Sequence, residues 1–402
     1  MIRMQILFLH NNFPAQFGFL GQYLASQGWD VWFGTKRKNS SMSGMRVFNY
    51  EPHRSVSDKT HPYAANFESG ILNGQAVARS AIKLKPAGLD PDIVVAHSGW
   101  GPGLFAKDIW PRAKYVGYFE WYYWPDSPDT VYFGVENRLM DEQLRARMRN
   151  AAILSDLVSC DAGIAPTKFQ HAQLPECFRG KVHVIHDGVD TGTNCVDRAK
   201  KLKLDNLDLT HADEIITYVA RGMEPYRGFP EFMKSLQITL KRRPKAHVVI
   251  VGEDRVAYGK KLVDGDSWKK RMLKEVDLDL DRIHFTGLLR RSQYLDVLQA
   301  SSVHVYLTIP FVLSWSMMEA MSAECAIVAS DNAPVRELID DGVHGALVDM
   351  KDAENISDSI CALLDDKDKR HAYGAAARAR ILKHYDAKDL MAKRKTLFES
   401  LV

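Results

Sequence analysis

Two arginines six residues apart, Arg221 and Arg227, each followed directly by a glycine (Gly222 and Gly228), stand where the apolar run "IITYVAR" gives way to "FPEF". Where a strand hands over to a helix, backbone amides and the helix dipole favour anions. Two guanidiniums converging there suit a diphosphate, because each can bond two oxygens in a plane. The competing reading is a pair of surface arginines neutralised by Glu224 and Glu231. A second candidate is Glu319, the one acid in the apolar stretch "SWSMMEAMS". An acid in that setting calls for a specific partner, since burying it unpaired is costly. Two adjacent sugar hydroxyls would serve; an exposed helical glutamate is the alternative. A third is the aromatic run Tyr118, Phe119, Trp121, Tyr122, Tyr123, Trp124. So dense a run cannot all enter one core from one strand, and aromatic faces suit sugars. Trp121 and Tyr122 are therefore expected at an acceptor site. A surface for stacking nucleic-acid bases would interleave basic residues, and this run has none.

The elements that must position these groups are short apolar runs alternating with longer amphipathic ones, the pattern of a parallel sheet with crossover helices. "MQILFLH" precedes the helix "PAQFGFLGQYLASQG", framed by Pro14 at its first turn and Gly28 at its end. "DVWFGT", "PDIVVAH", "AKYVGYFE", "DAGIAPT" and "KVHVIHDG" follow as strands. Residues 197–213, rich in Lys and Asp, read as a linker. Beyond it the alternation restarts with "IITYVAR", "AHVVIVGE", "RIHFTGLL", "VHVYLT", "CAIVAS" and "GALVD". At 402 residues the chain exceeds one ordinary core, given about 150 residues per domain. The expected division is 1–196, a linker 197–213, a second α/β domain 214–375 and a C-terminal helical segment 376–402.

The residues "RGMEPYRG", "HFTGLL" (284–289), "MEAMSAECAIVASDNAPVREL" and "DGVHGALV", with "VHVIHDGVDT" (182–191) at the domain junction, resemble glycosyltransferase family 4. These are retaining, nucleotide-sugar-dependent enzymes of the GT-B fold. The resemblance spans nearly the whole chain in the family's order. It implies an α/β protein with two facing Rossmann-like domains and an inter-domain cleft, the acceptor on the first domain and the donor on the second. It also implies final helices that cross back to the first domain. Arg221 and Arg227 take the roles of the family's arginine and lysine on the donor diphosphate, and Gly222 follows the first. Glu319 matches the glutamate that binds the nucleotide ribose. Ser314 and Trp315 align with the loop that reaches the donor through backbone amides, and the backbone at Leu288 and Leu289 with the contact to the base. Asn11 and Asn12 occupy the phosphate and acceptor loop where the family often has two glycines, a swap that Asn's tolerance of unusual backbone angles makes reasonable. His97 matches a position lining the cleft, and Glu120 stands where many members carry a histidine; either could orient an acceptor hydroxyl. A structural histidine at a strand end accounts equally for His97. One departure is large: Phe311 stands where the family's first motif glutamate holds hydroxyls of the transferred sugar.

The remaining signals exclude more than they assign. Gly99, Gly101 and Gly103 imitate a dinucleotide fingerprint, but Leu104 replaces the third glycine and Pro102 interrupts the turn. Asp277, Asp279 and Asp281 lack the glycine and terminal glutamate of a calcium loop, and the family implies no metal. Five scattered cysteines without a CxxC pair indicate neither a disulfide framework nor zinc and point to a reducing, cytoplasmic location. A net charge of +3 is too weak to imply nucleic acid. No run approaches 18 apolar residues. The basic segment 144–150 could touch the inner face of a membrane, and a solvated face is the simpler reading. The expected function is therefore a metal-independent, retaining glycosyltransferase. Its donor would be a UDP- or GDP-sugar and its acceptor a glycan, lipid-linked or small-molecule hydroxyl. A nucleotide-sugar 2-epimerase and a non-catalytic sugar-nucleotide-binding protein are the alternatives.

Overall fold

A computed structural model of the chain describes residues 3–134, 140–259, 261–263 and 265–402. The chain divides into two compact units, one formed by Met1–Asp187 with Lys388–Val402 and the other by Gly188–Ala387.

The first unit is built on seven parallel strands: β1 (Gln5–Leu9), β2 (Asp30–Thr35), β3 (Met45–Asn49), β4 (Ile93–His97), β5 (Lys114–Tyr118), β6 (Ala162–Ala165) and β7 (Val182–Val184). They lie in the order β3-β2-β1-β4-β5-β6-β7. Side chains alternate across a strand, so a sheet covered on both faces needs continuous apolar runs. In β1, Leu7 and Leu9 enter one buried cluster with Val94 and Ala96 of β4, while Ile6 and Phe8 enter another with Ile93 and Val95. The helix Ala387–Leu401 belongs to this unit and places Phe398, fully buried, in the cluster around Phe8. Arg394, also buried, pairs with Asp187 at 2.6 Å, and the Tyr118 hydroxyl donates to the same carboxylate at 2.9 Å.

The second unit opens with a small antiparallel hairpin, β8 (Lys203–Leu204) and β9 (Leu207–Asp208). Its main sheet has six parallel strands: β10 (Ile215–Gly222), β11 (His247–Glu253), β12 (Ile283–Gly287), β13 (Val303–Tyr306), β14 (Ile327–Ser330) and β15 (Ala346–Val348). Their order is β12-β11-β10-β13-β14-β15. The stretch 197–213, expected as a linker, is therefore part of the second unit. Leu202, Leu204, Leu209 and Ala212 are buried in its core, with Leu207 packed against them. The leucines alternate with charged residues, so a two-stranded ribbon buries one face and leaves Lys203 to pair with Asp208 at 2.9 Å. Among the described residues, no helix is long and apolar enough to cross a membrane.

Candidate active site

In a parallel sheet, ligands gather at the carboxyl ends of the strands. In the second unit β10 ends at Gly222, a short turn of 3-10 helix spans Pro225–Arg227, and the helix Phe229–Arg242 begins directly after Gly228. Gly228 is left-handed at φ +62°, and a Cβ there would stand 2.4 Å from the Leu307 side chain, so the turn requires glycine. The turn draws Arg227 inward, to 4% exposure, whereas Arg221 remains exposed. Arg227 donates from Nη1 to the Thr308 hydroxyl at 2.8 Å and to the Tyr306 hydroxyl at 3.3 Å, and its guanidinium lies 5.1 Å from the Tyr258 ring centroid. Burial works against its charge; the phenols of Tyr306 and Tyr258 outweigh that and raise its pKa. Among the described residues no carboxylate lies within ion-pair distance of Arg227. Glu224, fully buried, instead accepts from the backbone amides of Ala257, Tyr258 and Gly259 at 2.9–3.2 Å. Glu231 is half-buried, and burial raises its carboxyl pKa. Surface arginines neutralised by these two glutamates are thus not what the fold contains. A buried guanidinium without a counter-ion is expensive, and an anion from outside would relieve it.

Tyr306 joins this arginine to the next loop, because its hydroxyl also accepts from the Ser314 amide at 2.8 Å. Ser314 caps the helix Trp315–Ser322, and Trp315 is exposed. Phe311 meets the rings of Tyr226 and Tyr258 edge-on, each at 5.3 Å, so an aromatic corner occupies the place where the motif predicts a carboxylate. Glu319 is engaged within the protein: it pairs with Arg291 at 2.8 Å and accepts from the Tyr294 hydroxyl at 2.6 Å. Gly222 is buried against Arg255 and Ala257, where a Cβ would stand 2.6 Å from the Arg255 carbonyl oxygen. That keeps the Arg221 backbone beside this loop, and its carbonyl accepts from the Arg255 side chain at 3.4 Å. Leu288 and Leu289 follow the left-handed Gly287 at the end of β12, the first exposed and the second half-buried.

The first unit gathers a different set at the carboxyl ends of its central strands. His97, 4% exposed at the end of β4, faces Glu120 with Nε2 at 3.2 Å and the Ser98 carbonyl with Nδ1 at 3.0 Å. Glu120 also accepts from Gln16 at 2.6 Å. Burial alone would raise the Glu120 carboxyl; His97 and the Gln16 hydrogen bond outweigh it and hold the pKa below its ordinary value. His10, at the end of β1, packs edge-on against His97 at 4.8 Å and accepts from the Asn12 amide at 2.8 Å. Burial, reinforced by His97, pushes His10 down to about 3, so it is neutral. Asn11 accepts from the Tyr50 hydroxyl at 2.8 Å, and Asn12 is exposed.

Trp121 and Tyr122 require a correction. Each is only 6% exposed; Tyr122 belongs to the core cluster with Phe119 and Leu174, and Trp121 packs 6.0 Å from Phe169. At these two positions the run turns inward onto the core, so neither ring offers an open face. Sequence reasoning also passed over His10, Gln16, Tyr258 and Tyr306, and it read Glu224 as a partner for the arginines rather than as a buried acceptor of backbone amides. "FLHNN" and "RGME" did carry His10 and Glu224 as polar residues at the tips of apolar runs, the one available signal. Among the described residues no group of three or more metal-ligating side chains occurs.

The sequence matches the descriptions "Glycosyl transferase family 4 group" over residues 27–193 and "Glycosyl transferases group 1" over residues 200–380. It is 26% identical over 191 residues to a phosphatidyl-myo-inositol mannosyltransferase of Mycolicibacterium smegmatis, covering 46% of this chain and 45% of that one. The chain spans less than half the length of the curated relatives it matches. Its fold is shared with the sucrose-phosphate synthase of Thermosynechococcus elongatus, at a TM-score of 0.73 and 17% identity over 99% of both chains. It is shared too with Anabaena HepE in complex with UDP-glucose, at a TM-score of 0.69 and 16% identity over 99% of this chain and 100% of that one.

Proposed function

We propose, from the premise that this chain belongs to the family 4 glycosyltransferases with the GT-B fold, that it moves a sugar from a nucleoside-diphosphate sugar to an acceptor hydroxyl with retention of configuration. The observation that carries this is Arg227: a buried guanidinium at the carboxyl end of β10 with hydroxyls for company and, among the described residues, no counter-ion. A diphosphate supplies the missing charge, and Arg221 gives it a second, exposed cation from the same strand. That the structural neighbour HepE is bound to UDP-glucose supports a UDP-sugar donor, with a GDP-sugar as the alternative.

In this reading the sugar–phosphate bond breaks with its electron pair passing to the leaving diphosphate, where the arginines stabilise it. Electrostatic stabilisation of that kind usually contributes more to catalysis than any other single effect. The acceptor hydroxyl attacks the anomeric carbon from the face the diphosphate leaves, and its proton passes to a phosphate oxygen. Glu319 exchanges Arg291 and Tyr294 for the ribose hydroxyls. The amides at Ser314 and Trp315, together with Gly222, contact the donor, and the backbone at Leu288 and Leu289 contacts the base. Asn11, Asn12, His97 and Glu120 orient the acceptor, a glycan, lipid-linked or small-molecule hydroxyl. No metal takes part.

The test is to incubate the protein with UDP- and GDP-sugars and a panel of acceptors, with and without EDTA. Released diphosphate is measured, and the anomeric configuration of the product is read by NMR. Retained configuration and EDTA-insensitive release support the reading; an inverted product or an absolute metal requirement overturns it. Phe311, in place of a hydroxyl-binding carboxylate, favours a second reading as a binding protein. Tight diphosphate binding without turnover on any acceptor would select that one.

A further inference from the structure

The glycine-rich loop after β4, "SGWGPG", has no role in the reading above, and it presents one large aromatic side chain outward. Trp100 is 54% exposed. Its backbone is held from every side. The Ser98 hydroxyl donates to Asp156 at 2.7 Å, and the Trp100 carbonyl accepts from the buried Asn73 side chain at 2.9 Å. Gly99 and Gly101 flank it in left-handed conformations at φ +86° and +91°. Gly101 packs so closely on the helix Ala65–Leu84 that a Cβ would stand 2.1 Å from the Gly70 carbonyl oxygen. A scattered exposed apolar residue needs no explanation. An indole fixed outward by two left-handed glycines and two buried polar anchors, at the carboxyl end of a central strand, does. Its ring lies 6.3 Å from His97, which faces Glu120.

We infer that Trp100 is the stacking platform of the acceptor subsite and that its occupant is a pyranose ring. The apolar C–H face of the sugar covers the indole, while hydroxyls at the ring's rim reach the His97–Glu120 pair. An aromatic face beside a carboxylate and an imidazole matches both sides of a sugar, one apolar and one hydroxylated. This takes over the task that the buried Trp121 and Tyr122 cannot perform. It rests on the transferase reading for the word acceptor, but the contact itself can be tested without turnover.

The experiment measures saturation-transfer NMR of methyl glucopyranoside, mannopyranoside and N-acetylglucosaminide with the wild-type protein, Trp100→Ala and Trp100→Phe. The same samples give the melting shift on adding UDP. Expected is binding of at least one glycoside to the wild type, with saturation strongest on the protons of one ring face. Affinity should be about tenfold weaker in Trp100→Ala and largely restored in Trp100→Phe. The UDP shift should be equal in all three, which also shows that the variants fold. No glycoside binding to the wild type, or equal binding by Trp100→Ala, overturns the inference. Loss of the UDP shift in Trp100→Ala also overturns it, assigning the indole to a nucleotide base instead. Glycoside binding without any UDP shift would leave Trp100 in place and remove the donor reading.

Discussion

Replacing Arg227 with methionine separates an arginine that holds a ligand from one that holds the fold. The side chains are similar in length, so the packing against Tyr258 is largely kept. The hydroxyls that lose their donor keep other partners. Thr308 Oγ1 still lies 3.1 Å from the Ile309 carbonyl oxygen and 3.3 Å from that of Tyr226, and Tyr306 still accepts from the Ser314 amide. The variant also loses a buried charge that has no carboxylate partner among the described residues, and exchanging buried ionic groups for apolar ones is often neutral or stabilising by about 1–4 kcal/mol. The unliganded protein should therefore melt at the wild-type temperature or above it. The liganded protein should not. A diphosphate at 100 times its dissociation constant stabilises the wild type by about 2.7 kcal/mol. For the 200-residue second unit that is about 6 °C. Losing charge-assisted bonds of about 3 kcal/mol weakens binding roughly 150-fold. At the same ligand concentration about 0.3 kcal/mol remains, a shift under about 1 °C. Differential scanning fluorimetry with UDP and GDP reads both quantities. If the unliganded variant loses about 3 kcal/mol or more while keeping the full diphosphate shift, Arg227 is structural and the argument from its missing counter-ion is wrong.

Glu224→Ala strips the amides of Ala257, Tyr258 and Gly259 of their acceptor. It should cost about 3 kcal/mol and speed hydrogen exchange at those three amides; unchanged protection there would refute the role given to Glu224. Gly101→Ala places a methyl group against the Gly70 backbone at a left-handed φ, where neither side can yield cheaply, and should lower stability by about 3 kcal/mol or more. A wild-type melting temperature would count against the close packing of that loop. Acid should destabilise the protein through buried imidazoles. Burial pushes His10 down to about 3 and His186 and His304 to about 4. Their contribution is therefore complete above the unfolded value near 6.5 and is lost as pH falls toward 4. Asp156 opposes them: burial lifts it to about 6, so it binds a proton in the folded state that the unfolded carboxyl refuses between about pH 6 and 4. The net of about two protons from these four groups gives a slope of about 2.7 kcal/mol per pH unit near pH 5. Urea titrations between pH 6.5 and 4.5 measure it, and a flat profile rejects neutral buried histidines.

The architecture was legible where both faces of a strand are covered. "DVWFGT" and "DIVVAH" are unbroken apolar runs because helices pack on either side of them, and such runs identify parallel strands without any partner in view. "MRVFN" was missed because β3 is an edge strand with only Phe48 fully buried, so its pattern is as polar as a loop. The alternation in "LKLDNLDL" was present but spans two-residue strands, too short to stand out from a charged linker. At the candidate site, arginines at a strand end could be read from spacing alone. That one would be exposed and the other buried without a carboxylate could not, because the 3-10 turn at Pro225 decides it and nearby acids in the sequence suggest the opposite. The aromatic run misled for a related reason: local density says nothing about which way a segment turns after its strand, and here Trp121 and Tyr122 turn inward while Trp100, some twenty residues earlier, faces out.

The helix Ala387–Leu401 gives the molecule an unusual order of completion during synthesis. The bulk of the first unit emerges from the ribosome before the second, yet its buried Asp187 and the cluster around Phe8 wait for Arg394 and Phe398. The intervening unit is 200 residues long, which at ~5–20 residues per second is roughly 10–40 s of translation. Through that interval the nascent first unit carries an uncovered apolar face and an interior carboxylate still awaiting Arg394, while the second unit can close on its own residues as soon as they appear. The unit made earlier of the two is thus the one that finishes folding later. A stalled or prematurely released product that ends before Phe398 would present that face to chaperones and proteases however well its second half had formed.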